Sequence, residues 1–151
     1  MDENMGINEL AMKEFKRAFR WLFDLETKLG KIDNLLVKSV DFPNFEVENH
    51  KRKWKPIAVE YYDAPEESTA LWNWLLHQDD ATWSPKCTAW LTFLTGTGAT
   101  LDGFRIIMNL KEFTTTKPDY ASSEPCVIRL VFDVMEVMRG EAVHFRIKKD
   151  A

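Results

Sequence analysis

The chain has 151 residues, 45% of them hydrophobic and 13% aromatic, and its 24 acidic against 20 basic side chains leave a net charge of −4. One domain of this size buries roughly 70% of its unfolded surface, and no apolar run approaches the ~20 residues of a membrane-spanning helix. The acidic balance argues against a dedicated nucleic-acid binder, which uses a basic excess to displace counterions.

The first residues, MDENMGINELAMKEFKR, carry acids where a signal peptide carries bases, so export by that route is not expected. Residues 7–17 place Ile7, Leu10, Ala11 and Phe15 at roughly helical spacing, the pattern of a short amphipathic helix. From Phe19 the period becomes two. Phe19, Trp21, Phe23 and Leu25 share one side of AFRWLFDLET, and KLGK supplies a turn into IDNLLVKSV, a hairpin pattern. A helix continued through Leu25 is the competing reading, because Trp21, Leu22 and Leu25 also fit a helical stripe. DFPNFEVENHKRK then reads as a long projecting loop or irregular hairpin, broken by Pro43 and Asn44.

In WKPIAVEYYD, Ile57, Val59 and Tyr61 alternate with Ala58, Glu60 and Tyr62, as in a half-buried strand. Asp63-Ala64-Pro65-Glu66 has the form of a helix start, with Leu71, Trp72, Leu75 and Leu76 as one stripe ending near Gln78. Beyond Trp83-Ser84-Pro85 the pattern is β. CTAWLTFLT runs through Gly96-Thr97-Gly98 into FRIIMNLKEF, and the loop TTTKPDYASSEP leads to CVIRLVFDVMEV, with a further short strand through Val143, Phe145 and Ile147. The fold class is therefore mainly β: an antiparallel β-sandwich or small barrel with one flanking α-helix. Val127, Val131 and Met135 beside Arg129 and Asp133, Leu22 on the first strand, and Ile106 next to Ile107 leave the second sheet faces unusually apolar. Either the helix or neighbouring subunits cover them.

Chemistry has little to stand on. His50, His77 and His144 are scattered, no serine sits in a GxSxG elbow, and Gly96 and Gly98 suit a hairpin turn better than a phosphate cradle. Cys87 and Cys126 lack metal-ligand spacing and read as two buried thiols in a reducing cytosol. Asp79-Asp80 and Glu66-Glu67 read as solvated acids, so no catalytic residue, cofactor or metal is expected. The run His50-Lys51-Arg52-Lys53 admits phosphate contact with Trp54 stacking on a base, or a solvated charged loop that guards a strand edge.

Taken in order, RAFRWLFDLE, LLVKSVDFP, WKPIAVEYYD with the helix of Leu71, Trp72 and Leu75, then WLTFLTGTGATLDGFRIIMNLKEF and IRLVFDVMEV span roughly residues 17–138. This ordered set resembles the tail tube proteins of contractile-tailed bacteriophages and their relatives in contractile injection systems. The resemblance implies six-fold rings stacked into a hollow tube, with the sheets of neighbours joined into a continuous barrel. It implies stacked copies of the chain, sheath and baseplate proteins as partners, DNA as passing cargo without specific binding, and no membrane. Its place would be a virion tail, assembled in the host cytoplasm. Ring-to-ring contacts would then fall on the projecting segment: Asp41, Phe42, Pro43, Phe45 and Glu46, then His50, Lys51, Arg52, Lys53 and Trp54.

The chain reads as a single domain, 1–151, with residues 1–17 an N-terminal assembly segment and 139–151 a C-terminal extension. Those ends exceed the resemblance and suit either a bulk tube subunit or a specialised initiator or terminator ring. A ring protein of a type VI system is the related alternative. From other classes come a monomeric ligand-binding β-barrel with Trp21, Tyr61 and Trp90 lining a pocket, and a small carboxylate hydrolase.

Overall fold

The computed structural model describes residues 15–77, 79 and 81–140. The expected helix over residues 7–17 and the strand through Val143, Phe145 and Ile147 lie outside the described residues, apart from residues 15–17, which are not helical.

Alternation of apolar and polar residues builds most of the described strands. In chain order these are β1 (Trp21–Thr27), β2 (Gly30–Ile32), β3 (Val37–Val40), β4 (Phe45–Glu48), β5 (Lys51–Trp54), β6 (Ile57–Tyr62), β7 (Lys86–Leu94), β8 (Thr100–Thr115) and β9 (Val127–Arg139), with one helix, α1 (Thr69–Leu75), between β6 and β7. Seven strands form one antiparallel sheet in the order β2-β1-β7-β8-β9-β6-β3, while β4 and β5 pair only with each other. The long strands β8 and β9 carry register shifts at Ile107/Met108 and Leu110/Glu112, bulges that bend the sheet into a half-barrel. The mainly β reading with one flanking helix holds, and β1 is a strand rather than a continued helix. It begins at Trp21; Phe19 lies ahead of it and is 74% exposed.

One face of the sheet supplies the core. Phe23, Leu25, Val59, Tyr61, Leu91, Ile106, Met108, Leu130 and Phe132 pack there, closed over by Leu71 and Trp74 of α1. The helix is shorter than its sequence suggests. Pro65 to Ser68 form a turn in which the Ser68 N–H donates to the Ala64 carbonyl (2.7 Å), and Ser68 takes the N-cap position. Asp63 does not cap; its carboxylate accepts from Trp72 Nε1 at 3.1 Å. Trp74, absent from the expected stripe, is fully buried, and Leu76, included in it, is 57% exposed.

The two thiols differ. Cys87 is buried in the core, whereas Cys126, one residue ahead of β9, is exposed, correcting the expectation of two buried cysteines. Burial pushes the Cys87 thiol up to about 12. A thiol reagent at pH 8 is therefore expected to modify one cysteine per native chain and both only after denaturation, since thiolate is the reactive form. Two equivalents from native protein would contradict this burial.

Candidate assembly interface

The segment expected to mediate contact, read as a projecting loop or irregular hairpin, is a hairpin of regular register. Four residue pairs, from Phe45↔Trp54 to Glu48↔Lys51, lead to a two-residue turn at Asn49 and His50, whose φ values of 52° and 63° are those of the primed turns that match strand twist. We call this hairpin the arm. All of β4 and most of β5 are exposed, with Val47 71% and Phe45 45% accessible. Phe45 meets Trp54 edge-on at 5.1 Å between centroids, and the Arg52 guanidinium lies 6.0 Å from the Phe45 ring. Glu48 and Lys53 approach to 3.6 Å and Glu46 and Lys55 to 3.5 Å, exposed pairs worth little each.

Two of the expected contact residues, Asp41 and Phe42, lie at the base of the arm and remain partly exposed. Asp41 clasps β6: its N–H donates to the Ala58 carbonyl (3.0 Å) and its carboxylate accepts the Ala58 N–H (2.9 Å). Phe42 packs edge-on against Phe104 at 5.0 Å and near Phe93 at 6.3 Å. The Lys16 ammonium covers the same rings, 4.8 Å from Phe104 and 5.3 Å from Phe93, and pairs with Asp102 at 2.5 Å. Pro43 is buried beside Phe42. Glu46, His50, Lys51, Arg52 and Lys53 are exposed along the arm, so the residues expected to make contact divide between a fixed base and an exposed tip.

Asp102 is a junction that sequence reading did not single out, because its partners come from distant segments. Its carboxylate also accepts the Gly103 N–H (2.8 Å) and meets Arg139 Nε at 3.3 Å. Burial by itself would raise its pKa; the Lys16, Arg139 and Gly103 donors outweigh burial and hold it below the usual carboxylate value. Such a group contributes stability that is full above its unfolded value of about 3.9 and is lost as pH falls through the lower folded value. Asp102→Asn is expected to lower Tm near neutral pH by roughly 2–4 °C, and the gap from the parent should close below about pH 4. A gap unchanged down to about pH 3 would contradict this role.

The described residues do not bring Trp21, Tyr61 and Trp90 around one pocket. Tyr61 lies in the core with its hydroxyl unpartnered, Trp90 lines an open cavity of about 640 Å³ with Glu26, Lys86 and Arg105, and Trp21 lines a different one. Burial pushes the Tyr61 phenol far up. Among the described residues no group of three or more His, Cys, Asp or Glu side chains is placed to hold a metal, and no helix is long and apolar enough to cross a membrane.

No protein-family profile and no curated protein matches the sequence. Solved structures do match in fold. A chain of the sheath–tube complex of the extracellular contractile injection system PVC, in its extended state, superposes with a TM-score of 0.64 at 14% identity, over 87% of this chain and 95% of that one. A chain of the tube-terminating cap of the anti-feeding prophage gives 0.63 at 13% identity, over 85% and 92%. Hcp1 from Flavobacterium johnsoniae gives 0.53 at 16% identity, over 79% and 94%. Across most of its length, the chain has the fold of the tube proteins of contractile injection systems.

Proposed function

We infer that the chain is a ring-forming subunit of the inner tube of a contractile tail-like machine, a structural part that conducts cargo and catalyses nothing. The observation that carries this reading is the completeness of the fold match, which takes in 87% of this chain and 95% of the PVC chain. The exposed features of a lone chain support it. A two-stranded hairpin is marginal in water by itself, and open sheet edges invite pairing, so both gain from neighbours of the same kind.

Six copies would join their sheets around a bore and stack through the arm. The sheet face turned away from α1 would line that bore. It carries Asp24, Glu26, Glu60, Glu112, Asp133 and Glu136 beside Lys31, Lys38, Lys86, Arg105 and Arg129, so neither sign dominates. A wall whose cations are matched by carboxylates gives phosphates little to grip, and gripping would slow transit. The α1 side would face the sheath, and a baseplate would bound one end of the tube. The likeness to a chain of the PVC contractile injection system supports a machine of that kind. The phage tail tube, with DNA as passing cargo, is the sister reading and differs in cargo rather than in the ring.

Sedimentation velocity over a concentration series tests the reading. Species of six chains and multiples of six are expected. A monomer at every concentration that takes up apolar dyes would return the chain to the ligand-binding barrel.

A further inference from the structure

Strand β1 is only partly covered on its outer side. The Leu94 N–H donates to the Arg20 carbonyl at 2.9 Å. By the two-residue period of an antiparallel ladder, Leu22, Asp24 and Glu26 also bond toward β7, while Trp21, Phe23, Leu25 and Thr27 turn their N–H and C=O groups to the opposite edge. There β2 covers only Leu25 to Thr27. The backbone of Trp21 and Phe23 thus faces an open seam, although Phe23 is only 1% exposed, and unpaired buried backbone is costly. Across the seam stands β3. The cavity between them, about 390 Å³, is lined by Phe19, Trp21, Leu22 and Phe23 on one wall and Val37 and Lys38 on the other.

The arm carries a strand that matches. Its two-residue turn makes Glu48↔Lys51 and Glu46↔Lys53 the hydrogen-bonded pairs, and the Lys55 N–H to Asn44 carbonyl bond (2.8 Å) continues that phase. Phe45 and Val47 therefore turn their N–H and C=O groups to the free edge of β4, with the same spacing as Trp21 and Phe23.

The geometry points to strand addition between copies: β4 of a chain in the adjoining ring enters the β1–β3 seam antiparallel to β1, with Trp21 opposite Val47, Leu22 opposite Glu46 and Phe23 opposite Phe45. This rests on the ring reading above. Both open edges are satisfied together, and Phe45 and Val47 extend the apolar face of the sheet. Glu46 falls on the outer side with Leu22, where Lys38 lies over the Tyr62 ring at 5.9 Å. Charge selects β4 over β5, because Lys38 lines the seam and β5 would bring Lys51, Arg52 and Lys53 to it. The arm lines no wall of its own seam, its base being held by the Asp41–Ala58 and Asn44–Lys55 bonds, so the occupant is a second copy.

The test is a cross-link at the central pair. Opposed residues at a non-hydrogen-bonded site have Cα atoms about 4.5 Å apart, within reach of a disulfide. Leu22→Cys with Glu46→Cys, on a Cys126→Ser background, is oxidised under tube-forming conditions and run on a non-reducing gel. Disulfide-linked multimers are expected, absent from Leu22→Cys with Glu48→Cys. In parallel, hydrogen exchange of the parent should slow at the Trp21 and Phe23 amides by at least about tenfold between isolated rings and tubes. Tubes in micrographs with neither cross-link nor protection overturn strand addition and leave the ring reading standing. Protection without the cross-link overturns β4 as the occupant. Absence of both rings and tubes overturns the ring reading as well.

Discussion

Reversing two charges of the arm, Lys51→Glu with Arg52→Glu, is expected to abolish tube growth while leaving six-chain rings intact. Both residues are exposed on β5, opposite Glu48 and Val47 of β4, so the change disturbs no core packing. A single exposed ion pair is worth roughly 0.2–1 kcal/mol, which in a monomer is negligible. Repetition changes the outcome. In the proposed ring, six arms each turned from attraction to repulsion at two positions would give a sum of several kcal/mol per ring-to-ring contact. The same reasoning makes parent tubes sensitive to salt, because a Debye length of about 3 Å at 1 M screens exposed pairs. Light scattering of the reversed variant should stay at the ring level at every protein concentration. Tubes of normal length from that variant would remove the arm's charges from the account.

Trp74→Ala is expected to cost the largest share of fold stability of any single truncation in α1. The side chain is fully buried, stacks on Trp83 at 6.2 Å between centroids, and donates from Nε1 to the Ser84 carbonyl at 3.2 Å. Trp83 Nε1 in turn donates to the Trp74 carbonyl at 2.8 Å, so the two indoles tie α1 to the turn ahead of β7. Removing a buried Trp side chain costs about 3–5 kcal/mol through lost burial and the cavity left behind, and a domain typically holds only about 5–15 kcal/mol. Urea unfolding should show a midpoint lowered in proportion, and Trp74→Phe should recover part of the loss. A change below about 1 kcal/mol would mean that the site collapses without penalty.

Legibility in the sequence followed burial. Strands β6, β8 and β9 bury one face against the core, so Ile57-Val59-Tyr61 and Ile128-Leu130-Phe132 leave a period of two that can be read directly. Apart from Trp54, which packs half-buried against the core at its base, the arm buries neither face. FEVE and KRKW therefore carry no core pattern, and the Asn49-His50 turn lacks the glycine that usually marks a hairpin. Helix α1 stands where its pattern predicts in chain order but begins later, because Pro65 and Glu66 fit a helix start and also fit the turn they form. Cys126 continues the apolar alternation of β9 yet lies one residue outside the strand, where burial ends. Among the expected contact residues, Phe42 and Asp41 proved to anchor the arm's base within the chain. Their partners, Phe93, Phe104 and Ala58, come from β7, β8 and β6, distances along the chain that no local pattern encodes.

Negative-stain electron microscopy of the purified chain across a concentration series decides whether this chain is a ring-forming tube subunit. Six-fold rings are expected at low concentration and hollow tubes of stacked rings as concentration rises. Isolated monomers at every concentration would rule out the ring.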